Sequence, residues 1–272
     1  MTNAIAPLWR RFPRVCSNRG EDRGFVNWLV QNFSKRLRYA VQNPRYALRS
    51  LYRELTLADE RFLGRLTGAP ARKIRRLLNE PIRTESFASC LRTAEENFQN
   101  LEIQSADLYA KKILVQYAAV RAFQPEIIVE TGVANGVSSA YLLFALHLNK
   151  RGTLYSIELG DPQYLPVDKS PGWVVPAWLN SRWKLVIGDS RVLLPQLLMQ
   201  LGPIDIFIHD SLHTYEHMIW EYRVAYRHLR PGGLLFSDDA AWNSAFGDFS
   251  REVAAPQAEV LRGVGFLRKG FA

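Results

Sequence analysis

Five stretches in the last two-thirds of the chain carry residues whose types and spacing could do chemistry. Glu130-Thr-Gly-Val-Ala-Asn-Gly-Val-Ser-Ser139 follows a strand-like run and opens a helical one. Gly132 and Gly136 there let the backbone pass close to a ligand where a side chain would collide, and Ser138 or Ser139 can begin the helix. Glu158 closes the run TLYSIELG, and Asp189 closes KLVIGDS. Three acids in order at the ends of successive apolar runs are a far more specific pattern than a glycine loop alone, which could be an ordinary tight turn. The fourth stretch is His209-Asp210-Ser-Leu-His213-Thr-Tyr215-Glu216, and the fifth runs from Pro231-Gly-Gly to Asp238-Asp239. His213 is the best general-base candidate, because an imidazole with an ordinary pKa of ~6.5 can take a proton near neutrality. Its alternative is a structural histidine bonded to a carbonyl. His209 lies inside an apolar run and reads as structural; His217 and His228 are given no role.

The elements that must position these residues alternate. Apolar runs at Ile127–Glu130, Leu154–Ile157, Lys184–Ile187, Ile204–Ile208 and Leu234–Phe236 are separated by helical patterns at Ser138–Leu148, Arg191–Leu201 and Tyr215–Leu229, with an amphipathic helix over 106–122 before them. Such alternation implies a mainly parallel sheet covered on both faces, with ligands bound beyond the carboxyl ends of its strands. Glu259–Leu261 and Gly265–Arg268 flank Gly263 and suit a terminal strand pair. The longest connection without clear structure is Gly160–Asn180, which carries Trp173 and Trp178. Loops of that length are functional or disordered as a rule, and the two indoles argue against disorder. A substrate-covering lid and packing against the N-terminal helices are the two readings of it.

The loop at Glu130 resembles the first motif of the class I S-adenosylmethionine (SAM)-dependent methyltransferases, acid-x-Gly-x-Gly-x-Gly. Glu130, Gly132 and Gly136 match, and Ala134 replaces the middle glycine. Pro231 to Asp239 resembles the same family's L-x-P-G-G turn and strand, and HDSLHTYE resembles the D-x-x-H-[ST]-Y-E of a small-molecule and glycoside O-methyltransferase subgroup. The resemblance covers roughly residues 106–270. It implies an α/β, doubly wound, Rossmann-like seven-stranded sheet with an N-terminal helical accessory unit. It also implies a cofactor site of Glu130, Gly132, Ala134, Gly136, Ser138, Glu158, Asp189 and Ser190. Glu130 and Gly132 would lie at the ligand's amino-acid end, Glu158 would accept the two ribose hydroxyls, and Asp189 would lie near the adenine. Asp210, Asp238 and Asp239 resemble the metal-binding acids of catechol and macrocin O-methyltransferases. Neighbouring strand ends are ~4.8 Å apart, so these carboxylates could share one ion, and all-oxygen ligands favour a hard cation such as Mg2+. Without an ion they would cap a turn and begin a helix. The expected reaction is O-methylation of a small hydroxylated molecule, a sugar or glycosylated natural product, with Asp210 and His213 as the catalytic pair.

Length and charge bound the rest. The 272 residues suit a basic, mostly helical unit over 1–104 and a SAM-binding domain over 105–272. Residues 1–100 carry a balance of +10 and the remainder −1, so the net +9 belongs to the N-terminal third. A basic segment can attract nucleic acid or an acidic surface, which keeps a nucleic-acid methyltransferase and a non-catalytic SAM-binding scaffold as alternatives. Nucleic acid is disfavoured because no recognition module or regular aromatic interleaving accompanies the charge. A nicotinamide dehydrogenase is disfavoured by the missing GxGxxG spacing. Cys16 and Cys90 have no metal-type spacing, and no apolar run reaches the ~20 residues of a spanning helix. A cytoplasmic protein with a small-molecule substrate is expected, with the N-terminal helices as a candidate surface for self-association.

Overall fold

In the computed structural model, residues 57–101, 108–161, 163 and 165–271 are described. The irregular stretch expected over 1–24 and most of the helical run from Phe25 lie outside them. Five strands run parallel: β1 Ile127–Thr131, β2 Thr153–Glu158, β3 Trp183–Ile187, β4 Ile204–His209 and β5 Leu229–Ser237. The hairpin β6 Gln257–Leu261 and β7 Val264–Arg268 adds to β5 antiparallel, giving the order β3-β2-β1-β4-β5-β7-β6. The Rossmann-like sheet is therefore the one expected. The chain leaves β1 in one direction for β2 and β3 and returns on its other side for β4, so β1 and β4 flank the topological switch point where such sheets bind ligands.

β1 and β4 read IIVET and IDIFIH because they are covered on both faces. Ile128, Ile206, Leu234 and Phe236 pack on one side, with helices α5 Lys111–Phe123 and α6 Val137–Asn149. Val129, Phe207 and Leu235 pack on the other, against α7 Ser190–Leu201, α8 Tyr215–His228 and α9 Ala245–Glu252. Helix α6 is apolar nearly all round because it has neighbours on both sides. Outside this layer, α1 Ala58–Thr67 and α2 Ala71–Leu77 pack on α5, and α3 Glu80–Arg83 leads into α4 Glu85–Asn100, which reaches α6; their buried residues belong to the same core. Phe87 of α4 stacks on Phe144 of α6 at 4.2 Å, and Phe62 of α1 meets Phe266 of β7 at 6.0 Å. Leu57–Ala272 thus pack as one unit.

The expected elements are recovered within a residue or two, with three differences. β5 begins at Leu229 rather than Leu234, because Gly232 takes a φ of 72° and lets the Pro231-Gly-Gly turn join the ladder beside Asp205. The helix expected from residue 106 begins at Lys111, after an extended Ala110. The Gly160–Asn180 connection ends in a short 3-10 helix, Ala177–Arg182. No helix among the described residues is long and apolar enough to cross a membrane.

Candidate active site

The strand tips are built by hydrogen bonds that continue the parallel ladder past its last residues. Gly132 N donates to Ile157 O at 2.9 Å, Gly188 N to Glu158 O at 2.8 Å, Asp210 N to Thr131 O at 2.8 Å and Asp238 N to His209 O at 2.8 Å. Asp210 and Asp238 consequently stand side by side at the ends of β4 and β5. Gly132 is required by the protein itself, for it has a φ of 86° and a Cβ there would lie 2.0 Å from the Asp210 carbonyl oxygen. Gly136, at φ 87°, leaves room for Gly172, whose Cα would sit 2.6 Å from a Cβ.

Glu158 organises the glycine-rich turn. Its Oε2 accepts from Val133 N at 2.6 Å and Ala134 N at 2.8 Å, and its Oε1 accepts from Gly160 N at 3.0 Å. A carboxylate offers about four lone-pair positions, so three are committed to backbone and about one remains for a ligand hydroxyl. Asp189 is exposed and caps α7, accepting from Arg191 N at 2.8 Å, and Ser190 Oγ lies 3.3 Å from His217 Nε2. Ser138 lines the cleft described below.

Glu130 is fully buried inside β1. Its Oε1 accepts from Ser139 Oγ at 2.7 Å and Ser156 Oγ at 2.5 Å, and Ser156 in turn accepts from Trp183 Nε1 at 2.7 Å. Burial pushes its carboxyl up to about 7 from 4.5 against the two serine bonds, and Glu158 adds to the rise. A group raised on folding contributes stability that is complete below its unfolded pKa and lost as pH climbs through the folded one. Unfolding free energy is therefore expected to fall by about 3 kcal/mol between pH 4.5 and 8 through this group alone. Denaturant titrations of wild type and Glu130→Gln across that range check this, and a fall of equal size in both proteins would remove Glu130 as its source.

Asp210, His213 and Asp238 each bring one ligand-type atom within 4.8 Å of the others. His213 Nε2 lies 3.9 Å from Asp210 Oδ1. Asp238 is 5% exposed; its Oδ2 accepts from Lys112 Nζ at 3.0 Å, while its Oδ1, like His213 Nε2, has no hydrogen-bond partner. Loss of water, and then the neighbouring Asp238 carboxylate, hold the Asp210 carboxyl well above its usual range. Burial, and then His209, hold the His213 imidazole below its ordinary value, although Asp239 and Asp238 oppose this. Two carboxylates that repel each other, with open oxygen and nitrogen positions pointing together, fit a divalent cation. Asp239 stands exposed at φ 43°, so the third member beside Asp210 and Asp238 is His213.

Asp210 and Asp238 open on a cleft of ≈ 180 Å3 bounded by the glycine-rich turn on one side and by Phe98, Leu108 and the Lys112–Gln116 face of α5 on the other. The Gly160–Asn180 connection is fastened to the turn, with Gly172 N donating to Ala134 O at 2.8 Å and Trp173 Nε1 to Asn135 Oδ1 at 2.7 Å. Trp173 also meets Phe98 edge-on at 5.3 Å. The loop thus lies on the turn and touches α4, the packing against an N-terminal helix that was one of its two readings.

Comparison with known proteins bears on this arrangement. Residues 129–240, from β1 to just beyond Asp239, match the family model described as "Methyltransferase domain". A demethylmacrocin O-methyltransferase of Streptomyces fradiae is 29% identical over 107 residues, 38% of this chain and 24% of that protein. The match thus spans about a quarter of the curated relative's length. The cofactor-bound structure of Rv0187 from MTB superposes with a TM-score of 0.50 at 16% identity, over 71% of this chain and 98% of that one. An O-methyltransferase from Bacillus cereus, solved in complex with SAH, gives a TM-score of 0.49 at 16% identity, over 66% and 91%.

Beneath the strand tips lies a group that sequence reasoning missed. Glu221 of α8, fully buried, accepts from Thr131 Oγ1 at 2.6 Å and Ser211 Oγ at 3.0 Å, and pairs with His209 Nδ1 at 2.6 Å and His217 Nε2 at 2.9 Å. Burial alone would raise its carboxyl, but the bonds from His209 and His217 outweigh that and leave it below the usual range. It joins the end of β1 to the end of β4, next to Gly132 and Asp210. The available signal was its spacing, because Glu221 falls on the Met218, Tyr222, Ala225 stripe of α8, four residues after His217.

Proposed function

We propose that the domain transfers a methyl group from SAM to a hydroxyl oxygen of a small molecule, with a divalent cation such as Mg2+ held by Asp210, Asp238 and His213. The observation that carries the reading is the convergence of those three groups at the tips of β4 and β5, beside the glycine-rich turn. SAM would supply an electrophilic methyl on a sulfonium, and the cation would supply Lewis acidity that favours the ionised form of the acceptor hydroxyl. The chain's own part is orientation. Glu158 holds Val133 and Ala134 in the conformation that admits the nucleoside, and its remaining lone pair suits a ribose hydroxyl. Ala134, Gly136 and Ser138 bound the same space; Gly132, Asp189 and Ser190 would complete the cofactor site. Phe98 and Leu108 wall the acceptor side with apolar surface, and the helices from Ala58 to Asn100 serve as the accessory part of the unit. His213 Nε2, unpartnered and 3.9 Å from Asp210 Oδ1, would be given to the cation, so the acceptor proton would be loosened by that cation and pass to solvent rather than to this imidazole. Much of the acceleration then comes from alignment of oxygen, methyl and sulfur.

The name of the Streptomyces fradiae relative, a demethylmacrocin O-methyltransferase, supports transfer to an oxygen. Calorimetry with S-adenosylhomocysteine is expected to give one site per chain, and SAM with a panel of hydroxylated glycosides is expected to give O-methyl products. Absence of binding would overturn the cofactor reading, and methylation at nitrogen or carbon would overturn the oxygen assignment.

A further inference from the structure

The carboxylate pair already has a cation. Lys112, from the first turn of α5, reaches the tip of β5 and places its ammonium 3.0 Å from Asp238 Oδ2. Asp238 is fixed from behind by its backbone bond to His209 O, whereas a lysine head is a point charge on a four-carbon stem. Lys112 also lines the cleft together with Asp210 and Asp238, so its ammonium sits on the open side of the pair. Among these three side chains alone, the charge balance favours an exchange. Two ionised aspartates with Lys112 in place sum to −1, and a divalent ion added to that set makes +1, with two cations facing each other over one carboxylate. With the ammonium moved off, the same ion leaves the set neutral.

We propose that Lys112 is the resident counter-ion of the Asp210–Asp238 pair and that a divalent cation binds only by displacing its ammonium from Asp238. The lysine thereby holds two repelling carboxylates together when no metal is bound, and weakens the site for metal by the same interaction. It also follows that metal occupancy and the position of an ammonium in the acceptor cleft are coupled. This inference rests on the metal reading above and adds the residue that controls it.

Mn2+ is a suitable probe, because the free ion is counted by electron paramagnetic resonance and the bound fraction follows. The full chain is titrated as wild type, Lys112→Met, Lys112→Arg and Asp238→Asn. Lys112→Met is expected to tighten Mn2+ at least about tenfold, since it removes the competing charge while keeping most of the stem. Lys112→Arg is expected to stay within about threefold of wild type, and Asp238→Asn to lose the site. Lys112→Gln reads the same way as Lys112→Met should the latter fold poorly. Equal or weaker Mn2+ binding in Lys112→Met and Lys112→Gln would overturn the competition and leave the metal site standing. No Mn2+ binding in any of the four proteins would overturn the metal reading and this inference together.

Discussion

Glu221→Ala is expected to destabilise the protein by about 3–5 kcal/mol, the largest effect of any single substitution considered for this domain. The carboxylate is fully buried and carries four partners, two of them imidazoles that are themselves buried. Truncation leaves the buried His209, His217 and Thr131 with polar atoms that water cannot reach and takes a partner from Ser211, and each lost bond to a charged group costs about 1.5–3 kcal/mol if nothing replaces it. Urea or guanidinium unfolding measures the loss. Glu221→Gln is expected to cost less, because the amide oxygen still accepts while its NH2 faces donors on one side only. A change below about 1 kcal/mol for Glu221→Ala would mean that the histidines find other partners, and the tips of β1 and β4 would then owe nothing to α8.

Glu158→Ala is expected to weaken S-adenosylhomocysteine at least about 100-fold, or ~3 kcal/mol. Three backbone N–H groups, those of Val133, Ala134 and Gly160, lose one shared acceptor. The glycine-rich turn loses its anchor at the same moment as the ligand loses its hydroxyl partner, so the two effects act in one direction. Glu158→Gln separates them, since it keeps one acceptor oxygen and is expected to retain part of the affinity. Calorimetric affinities for the three proteins decide the matter. Unchanged binding in Glu158→Ala would show that the turn holds its shape without the carboxylate.

Much of the sheet was readable because its physics is local. Strands buried on both faces must be apolar throughout, and Ile127–Thr131 and Ile204–His209 are; helices that follow them must be long enough to return, and α6 and α8 are. The tips of β4 and β5 were legible for the same reason, since Asp210 and Asp238 follow directly on apolar runs. What local pattern could not supply was the partner of each acid. Glu130 carries the charge expected of a ligand contact, yet Ser139 and Ser156 hold it inside the sheet, and Ser156 enters only because β2 sits beside β1 in that register. Asp189 ends an apolar run as Glu158 does, but one residue beyond Gly188 turns it outward to cap α7. Lys112 reads as the polar side of an amphipathic helix, and only the fold reveals that this side faces Asp238, 126 residues later.

The last strands also hold the first helices. Arg262, in the turn between β6 and β7, bonds Asp59 at 2.7 Å across 203 residues of chain, and Arg268 donates to the Leu66 carbonyl at 3.0 Å. During synthesis α1 can settle on α2 and α5 well before either arginine exists, but the contact of Phe62 with Phe266 and the two arginine bonds wait for β7. The outer face of α1 is thus locked by residues some two hundred positions further along the chain, and a chain cut before β7 would leave Phe62 uncovered and Asp59 without its arginine as well as losing a strand.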